Sequence, residues 1–231
     1  SKTFANGFNK DRVLEFFGPG IENLSMEYRM GIDVMTTESA ALSSIWRTDE
    51  KTRAYLASHG REGEYVSLAP GENACYDGLI EIDLSKVECM IALPFHPSNA
   101  IPIREFLAGP ETYLANIEAE GTKIKGKPFH LNAQQKADGI YVNQALISGC
   151  AGGMTENLAA VADILSGFTI PGNGLQLGIN PASIPVMQDL VEQGIATELM
   201  LSGATIRPAI CGPCFGVTDA RSARAQAAGR A

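Results

Sequence analysis

Residues 140–165 read IYVNQALIS, then GCAGGM, then TENLAAVADIL, and this run decides the fold. The first segment is apolar and short enough to be a buried strand. In the last segment Leu158, Val161, Ala162 and Leu165 recur at helical spacing on one face, with Thr155 placed to cap the helix. A buried strand that enters a helix through a glycine-bearing loop is half of a βαβ unit. Ligands of parallel sheets collect in loops beyond the carboxyl ends of the strands, and Cys150 occupies such a loop.

The alternation continues on both sides. Downstream, residues 175–179 read as a strand, 181–194 as a helix entered through Pro181-Ala182-Ser183, and 204–210 as a segment leading to Cys211. Upstream, residues 12–17 (RVLEFF) read as a strand that stops at Gly18-Pro19-Gly20. Residues 33–46 suggest a helix that buries Val34, Ala41, Leu42 and Ile45. Thr48 or Asp49 is placed to cap a second helix, Glu50–Ser58, which Gly60 ends. Residues 79–84 (LIEIDL) alternate as a strand with one solvated face, 90–93 continue towards Pro94, and 105–118 suit a helix.

The expected architecture is α/β, a three-layer α/β/α arrangement with a mostly parallel sheet covered on both faces. The polar, Gly/Pro-bearing stretch at 63–73 predicts a division into residues 1–72 and 73–231. Residues 219–231 are small, polar and basic without an apolar stripe, and are expected to be frayed or disordered.

The chain has 231 residues, 45% of them hydrophobic, which is enough to bury a sizeable core. A formal charge of −8 disfavours nucleic-acid binding, which relies on Lys and Arg neutralising phosphates. No stretch approaches the length of apolar residues that a membrane helix needs, so no membrane partner is expected. Five cysteines, an odd number, without a secretory signal argue against a disulfide framework and for a reducing setting, cytoplasmic or, after removal of a transit peptide, matrix-like. The first residue, Ser1, suggests processing or truncation.

Cys211-Gly212-Pro213-Cys214 is a C-x-x-C with Cys150 lying 61 residues upstream. Such a pair serves as a redox dithiol, as half of a zinc site, as two ligands of an iron–sulfur cluster, or as an inert pair. Three histidines, none of them paired, leave a zinc site without a regular fourth ligand. Three thiolates on a four-iron cluster would leave one iron open. Cys75 and Cys89 are read as small buried hydrophobes without a role. All of these readings stay open on spacing alone.

Several motifs in order narrow the choice. Ile147-Ser148-Gly149-Cys150, leading into a helix, resembles the G-S-C-T-N-S loop of the aconitase family, and Cys211-Gly212-Pro213-Cys214-Phe215-Gly216 is similar to its C-G-P-C-x-G. Asn180-Pro181-Ala182-Ser183 is similar to T-P-G-S, Phe17-Gly18-Pro19-Gly20 to H-G-P-G, and Tyr76-Asp77-Gly78-Leu79-Ile80-Glu81-Ile82-Asp83-Leu84 to Y-D-x-L-I-E-I-N-L. The resemblance implies an iron–sulfur-domain-like fold, with residues 1–72 continuing a preceding subdomain. It implies that Cys150, Cys211 and Cys214 hold a [4Fe–4S] cluster, with Cys150 favoured as a thiolate by a helix start. It also implies hydro-lyase (aconitate hydratase-like) chemistry on a di- or tricarboxylic hydroxy-acid. Glu38 falls on the family's active-site glutamate, and the remaining domains of the same protein are the expected partners.

The departures are specific. Val34 stands where the family has Asn four residues before the glutamate, and Ala151-Gly152-Gly153 replaces T-N-S. These point to an outlying hydratase branch, with a degenerate member kept for interaction, or a zinc or thiol module, as the alternatives. No arginine loop of the family's N-R-N-F-x-G-R kind follows Cys214, and Arg221, Arg224 and Arg230 do not match it. The expectation is therefore a fragment without turnover of its own.

Overall fold

Strand β1 (Val13–Phe16) and strand β2 (Ser43–Trp46) form a parallel pair in which Phe16 lies opposite Trp46. Their rings stack with centroids 4.2 Å apart. The computed structural model describes residues 7–131, 135–136, 139–170 and 174–211. The chain divides into two units: residues 1–26 with 36–141, and residues 27–35 with 142–231. The 63–73 stretch expected as a junction lies inside the first unit.

Between β1 and β2 run a 3-10 turn (Pro19–Asn23), helix α1 (Met26–Thr36) and a second 3-10 turn (Thr37–Ser39). The single helix expected over 33–46 is thus corrected to a helix end, a turn and a strand. Ala40 adopts the left-handed conformation at φ 59°, and Ser39 Oγ donates to Thr36 O at 2.7 Å, which closes the helix. Ala41, Leu42 and Ile45 fit both periods in so short a window, and pairing with β1 decides for the strand.

Helix α2 (Glu50–Ser58) starts as the sequence predicts. Asp49 accepts from Thr52 N at 3.1 Å, and Asp49 N donates to Thr52 Oγ1 at 3.3 Å, a reciprocal capping box. Strands β3 (Met90–Ala92) and β4 (Ala100–Pro102) pair antiparallel. Residues 79–84 form no strand: Leu79 and Ile82 are exposed, and no ladder partner lies beside them among the described residues. Alternation marks a strand only where a neighbour takes up its backbone groups. The helix expected at 105–118 is two, α3 (Ile103–Ala108) and α4 (Pro110–Lys125), because Pro110 lacks a donor and disfavours helix at Gly109. A short antiparallel pair, β5 (Gln135–Lys136) and β6 (Gly139–Ile140), completes the described part of this unit.

The second unit is built on a parallel sheet of β7 (Gln144–Ser148), β8 (Gln176–Asn180) and β9 (Thr205–Ile206), in that spatial order. A one-turn helix α5 (Gly149–Gly152) and helix α6 (Thr155–Leu165) follow β7, and α7 (Ile184–Glu192) and α8 (Ile195–Leu201) follow β8. Sequential neighbours joined by right-handed crossovers carry their helices to one face of the sheet. The core agrees: Leu158 and Ala162 of α6, Leu190 of α7 and Leu199 of α8 close over Leu177 and Ile179 of β8. Ala145 and Ile147 of β7 and Ile206 of β9 point the same way. The α/β class with parallel strands is the one the alternation predicts.

Candidate functional site

Cys150 lies in α5, immediately beyond β7. Gly149 opens the turn at φ 80°, a conformation that glycine adopts without strain. Gly153 closes it, its N–H donating to Gly149 O at 2.9 Å. A Cβ on Gly153 would overlap the carbonyl oxygen of Asn180 and sit 2.8 Å from Ala182 N. The backbone beyond β8 therefore rests directly on the Cys150 loop, and Ala182 N–H donates to Gly153 O at 2.8 Å.

Two further side chains brace the loop. Asn157 of α6 donates from Nδ2 to Ala151 O at 3.0 Å. At the start of α6 the cap position is held by Met154, whose side chain cannot cap, and Thr155 is the first helical residue, not the cap. The carboxylate of Glu27, from α1, accepts from Glu156 N at 2.6 Å and supplies the missing acceptor. The positive end of α6 is thereby met by Glu27, while Cys150 sits in the single turn ahead of it.

Cys211 emerges from the other side of β8. It follows β9, and Arg207 N–H in the connection donates to Ile179 O at 2.8 Å. Both Cys150 and Cys211 are exposed free thiols, and they leave the same carboxyl edge of one sheet on the two strands flanking β8. Strand spacing places those flanking strands about 10 Å apart. Cys214 lies outside the described residues, as does the tail at 219–231. Among the described residues no three His, Cys, Asp or Glu side chains group closely enough to hold a metal ion.

Glu38 is found in the exposed 3-10 turn after α1, not within a helix. Buried Asn9 secures this turn by donating from Nδ2 to Ser39 Oγ. Glu38 belongs to the first unit, with Cys150 and Cys211 in the second. Val34, the apolar replacement, lies one turn earlier on α1 and is half-buried. Cys75 and Cys89, expected inside, are both exposed. His59 Nδ1 is 2.8 Å from Tyr55 O and His96 Nδ1 is 2.6 Å from Ser98 Oγ, and neither joins a cluster of metal-ligating side chains among the described residues.

Sequence reasoning missed Glu27, Asn157 and Asn9. Asn157 alone carried a local signal, lying on the helix that follows the cysteine. Glu27 acts across 129 residues of sequence, a pairing that no local pattern encodes. No helix among the described residues is long and apolar enough to cross a membrane.

The sequence model of the Aconitase family (aconitate hydratase) matches residues 2–230. The 3-isopropylmalate dehydratase large subunit of Nitratidesulfovibrio vulgaris is 29% identical over 205 residues, covering 89% of this chain and 41% of that protein. The 2,3-dimethylmalate dehydratase large subunit of Eubacterium barkeri is 30% identical over the same share of each. The 3-isopropylmalate dehydratase large subunit of Elusimicrobium minutum is 31% identical over 206 residues, 89% of this chain and 42% of that protein. The chain thus spans about two fifths of the length of these relatives.

Proposed function

Because the chain belongs to the aconitase family, we propose that it is the cluster-bearing part of a hydro-lyase acting on a dicarboxylic hydroxy-acid. The observation that carries this reading is the pair of exposed cysteine loops at one sheet edge, in a chain that follows the family pattern from residue 2 to 230. The donor set fits a [4Fe–4S] group: Cys150 and Cys211 are unpaired thiols on a braced rim, and Cys214 is the third ligand in the C-x-x-C. When bound, the cluster supplies an open iron, a Lewis acid for the carboxylate and hydroxyl oxygens of the substrate.

The residues of the chain divide the remaining work. Glu38, on an exposed turn that Asn9 and Ser39 hold, exchanges a proton with the departing hydroxyl. As the C–O bond breaks, a base takes the proton from the neighbouring carbon, the C–H electron pair forms the alkene, and the hydroxyl, protonated by Glu38, leaves as water. Rehydration reverses the same steps. Gly153 keeps the Cys150 loop tight against the β8 end and Gly149 supplies its left-handed turn, so that the ligand does not wander.

The names of the relatives favour an alkyl-substituted malate as substrate and a small subunit as partner. Along with that subunit, the remaining parts of a longer polypeptide complete the site, and the setting is cytoplasmic. Dehydration of 2- and 3-isopropylmalate and 2,3-dimethylmalate, followed by ultraviolet absorbance of the unsaturated acid, tests this. The 231-residue chain alone is expected to be silent, and the full polypeptide with its small subunit active on at least one of them. Turnover by the isolated chain, or none by the assembled protein on any hydroxy-acid, contradicts the reading.

A further inference from the structure

Asn180 is the last residue of the central strand and is fully buried, yet among the described residues only one end of its amide finds a partner. We propose that Asn180 is a positioning residue that fixes the separation of Cys150 and Cys211. The inference deepens the cluster reading and rests on it for its purpose, though not for its geometry.

Asn180 touches both cysteine loops. On one side it lies opposite Ser148 at the end of β7, and its carbonyl oxygen abuts Gly153, three residues beyond Cys150. On the other side its Nδ2 donates to Pro208 O at 3.0 Å, three residues before Cys211. A backbone contact and a side-chain contact of one residue thus connect the segments that carry the two thiols.

Packing alone does not account for an asparagine here. Its Oδ1 is buried without a hydrogen-bond partner among the described residues, an arrangement that costs free energy and that a small apolar side chain would avoid. The amide persists because Nδ2 reaches Pro208 O, and it holds a carbonyl that no β9 ladder bond satisfies. The position is also where this chain departs from the T-P-G-S of the family it resembles. A threonine hydroxyl sits one bond nearer the backbone than the asparagine nitrogen, so the longer side chain belongs to this chain's own spacing of the two loops.

The test uses the 231-residue chain with Cys75, Cys89 and Cys214 changed to Ser, leaving two thiols. A bis-maleimide whose span matches the strand spacing of about 10 Å, scored by the mass of the bridged chain, reads their separation without any cluster. Relative to the Asn180 parent, Asn180→Asp and Asn180→Ala are expected to bridge about tenfold more slowly, the scale of one lost hydrogen bond to a buried acceptor. Alkylation of each thiol by a monofunctional reagent should stay at the parent rate, a separation that general unfolding would not produce. Equal bridging in parent and variants, or no bridging in the parent, overturns the proposal.

Iron and sulfide uptake by the chain with all its cysteines is measured in parallel. Uptake that is unchanged in Asn180→Asp overturns the positioning role and leaves the cluster reading intact. A parent that bridges but takes up no cluster sinks the cluster reading and leaves the spacing role standing. Should both variants lose their cooperative melt, hydrogen exchange of the Asn180 side-chain amide in the unaltered chain decides. One slowly exchanging Nδ2 hydrogen supports the bond to Pro208, and two rapidly exchanging ones overturn it.

Discussion

Gly153 has no room for a side chain, because the backbone at Asn180 and Ala182 occupies the space a Cβ would take. Those neighbours are main-chain atoms at a strand end and cannot swing aside. Gly153→Ala is therefore expected to destabilise the chain by about 1–3 kcal/mol, as overpacking does, read as a lower urea midpoint at unchanged slope. A midpoint equal to that of the parent would mean the two loops are not in contact. The same glycine stood out in the sequence only as a lost serine of the T-N-S triplet, a subtraction of hydrogen bonds. The structure gives it a positive role in close backbone approach. The cysteines were legible because their chemistry is local to C-x-x-C and to a strand-to-helix loop. Cys75 and Cys89 were misjudged as buried, since burial is set by neighbours that a single sequence does not name. Both are exposed and distant in sequence from the cysteine motifs. Changing both to Ser should leave iron and sulfide uptake unaltered, and a loss of uptake would give one of them a ligand role.

At the scale of elements, helix α6 shows how far local rules reach. Its extent, Thr155–Leu165, and its buried stripe follow from periodicity alone. Its cap does not, because Met154 offers no acceptor and Glu27 of α1 provides one from a remote segment. Glu27→Ala should cost about 1 kcal/mol, the usual scale of a helix cap, and Glu27→Gln less, since it keeps an acceptor oxygen and loses the charge that favours a helix start. Hydrogen exchange at the Glu156 amide checks this directly: it should quicken in Glu27→Ala, and unchanged exchange would remove the cap. The opposite lesson comes from residues 33–46. Their apolar residues suit a helix or a strand, and the outcome rests on Ala40 turning left-handed and on pairing with β1. Residues 79–84 fail for a related reason, being strand-like in composition but without a ladder neighbour among the described residues. The break at Pro110 inside the helix expected at 105–118 was local in chemistry but passed over, whereas a cap at Asp49 and the helical stripes were readable. Pairing partners were not, because they lie far away in sequence.

At the scale of the whole molecule, the family was legible from several motifs in fixed order, and the match over residues 2–230 establishes it. The chain spans only about two fifths of its relatives' length, so the proposed substrate, partner subunit and turnover rest on the names of those relatives and not on the geometry of this chain. The claim that organises all of this is that Cys150, Cys211 and Cys214 hold one iron–sulfur cluster. Anaerobic reconstitution of the purified chain with iron and sulfide, followed by Mössbauer spectroscopy, tests it most directly. A [4Fe–4S] spectrum in the parent that vanishes in each of Cys150→Ser, Cys211→Ser and Cys214→Ser is the predicted result. A cluster that survives loss of Cys150, or no cluster in the parent or in the longer protein, would contradict it.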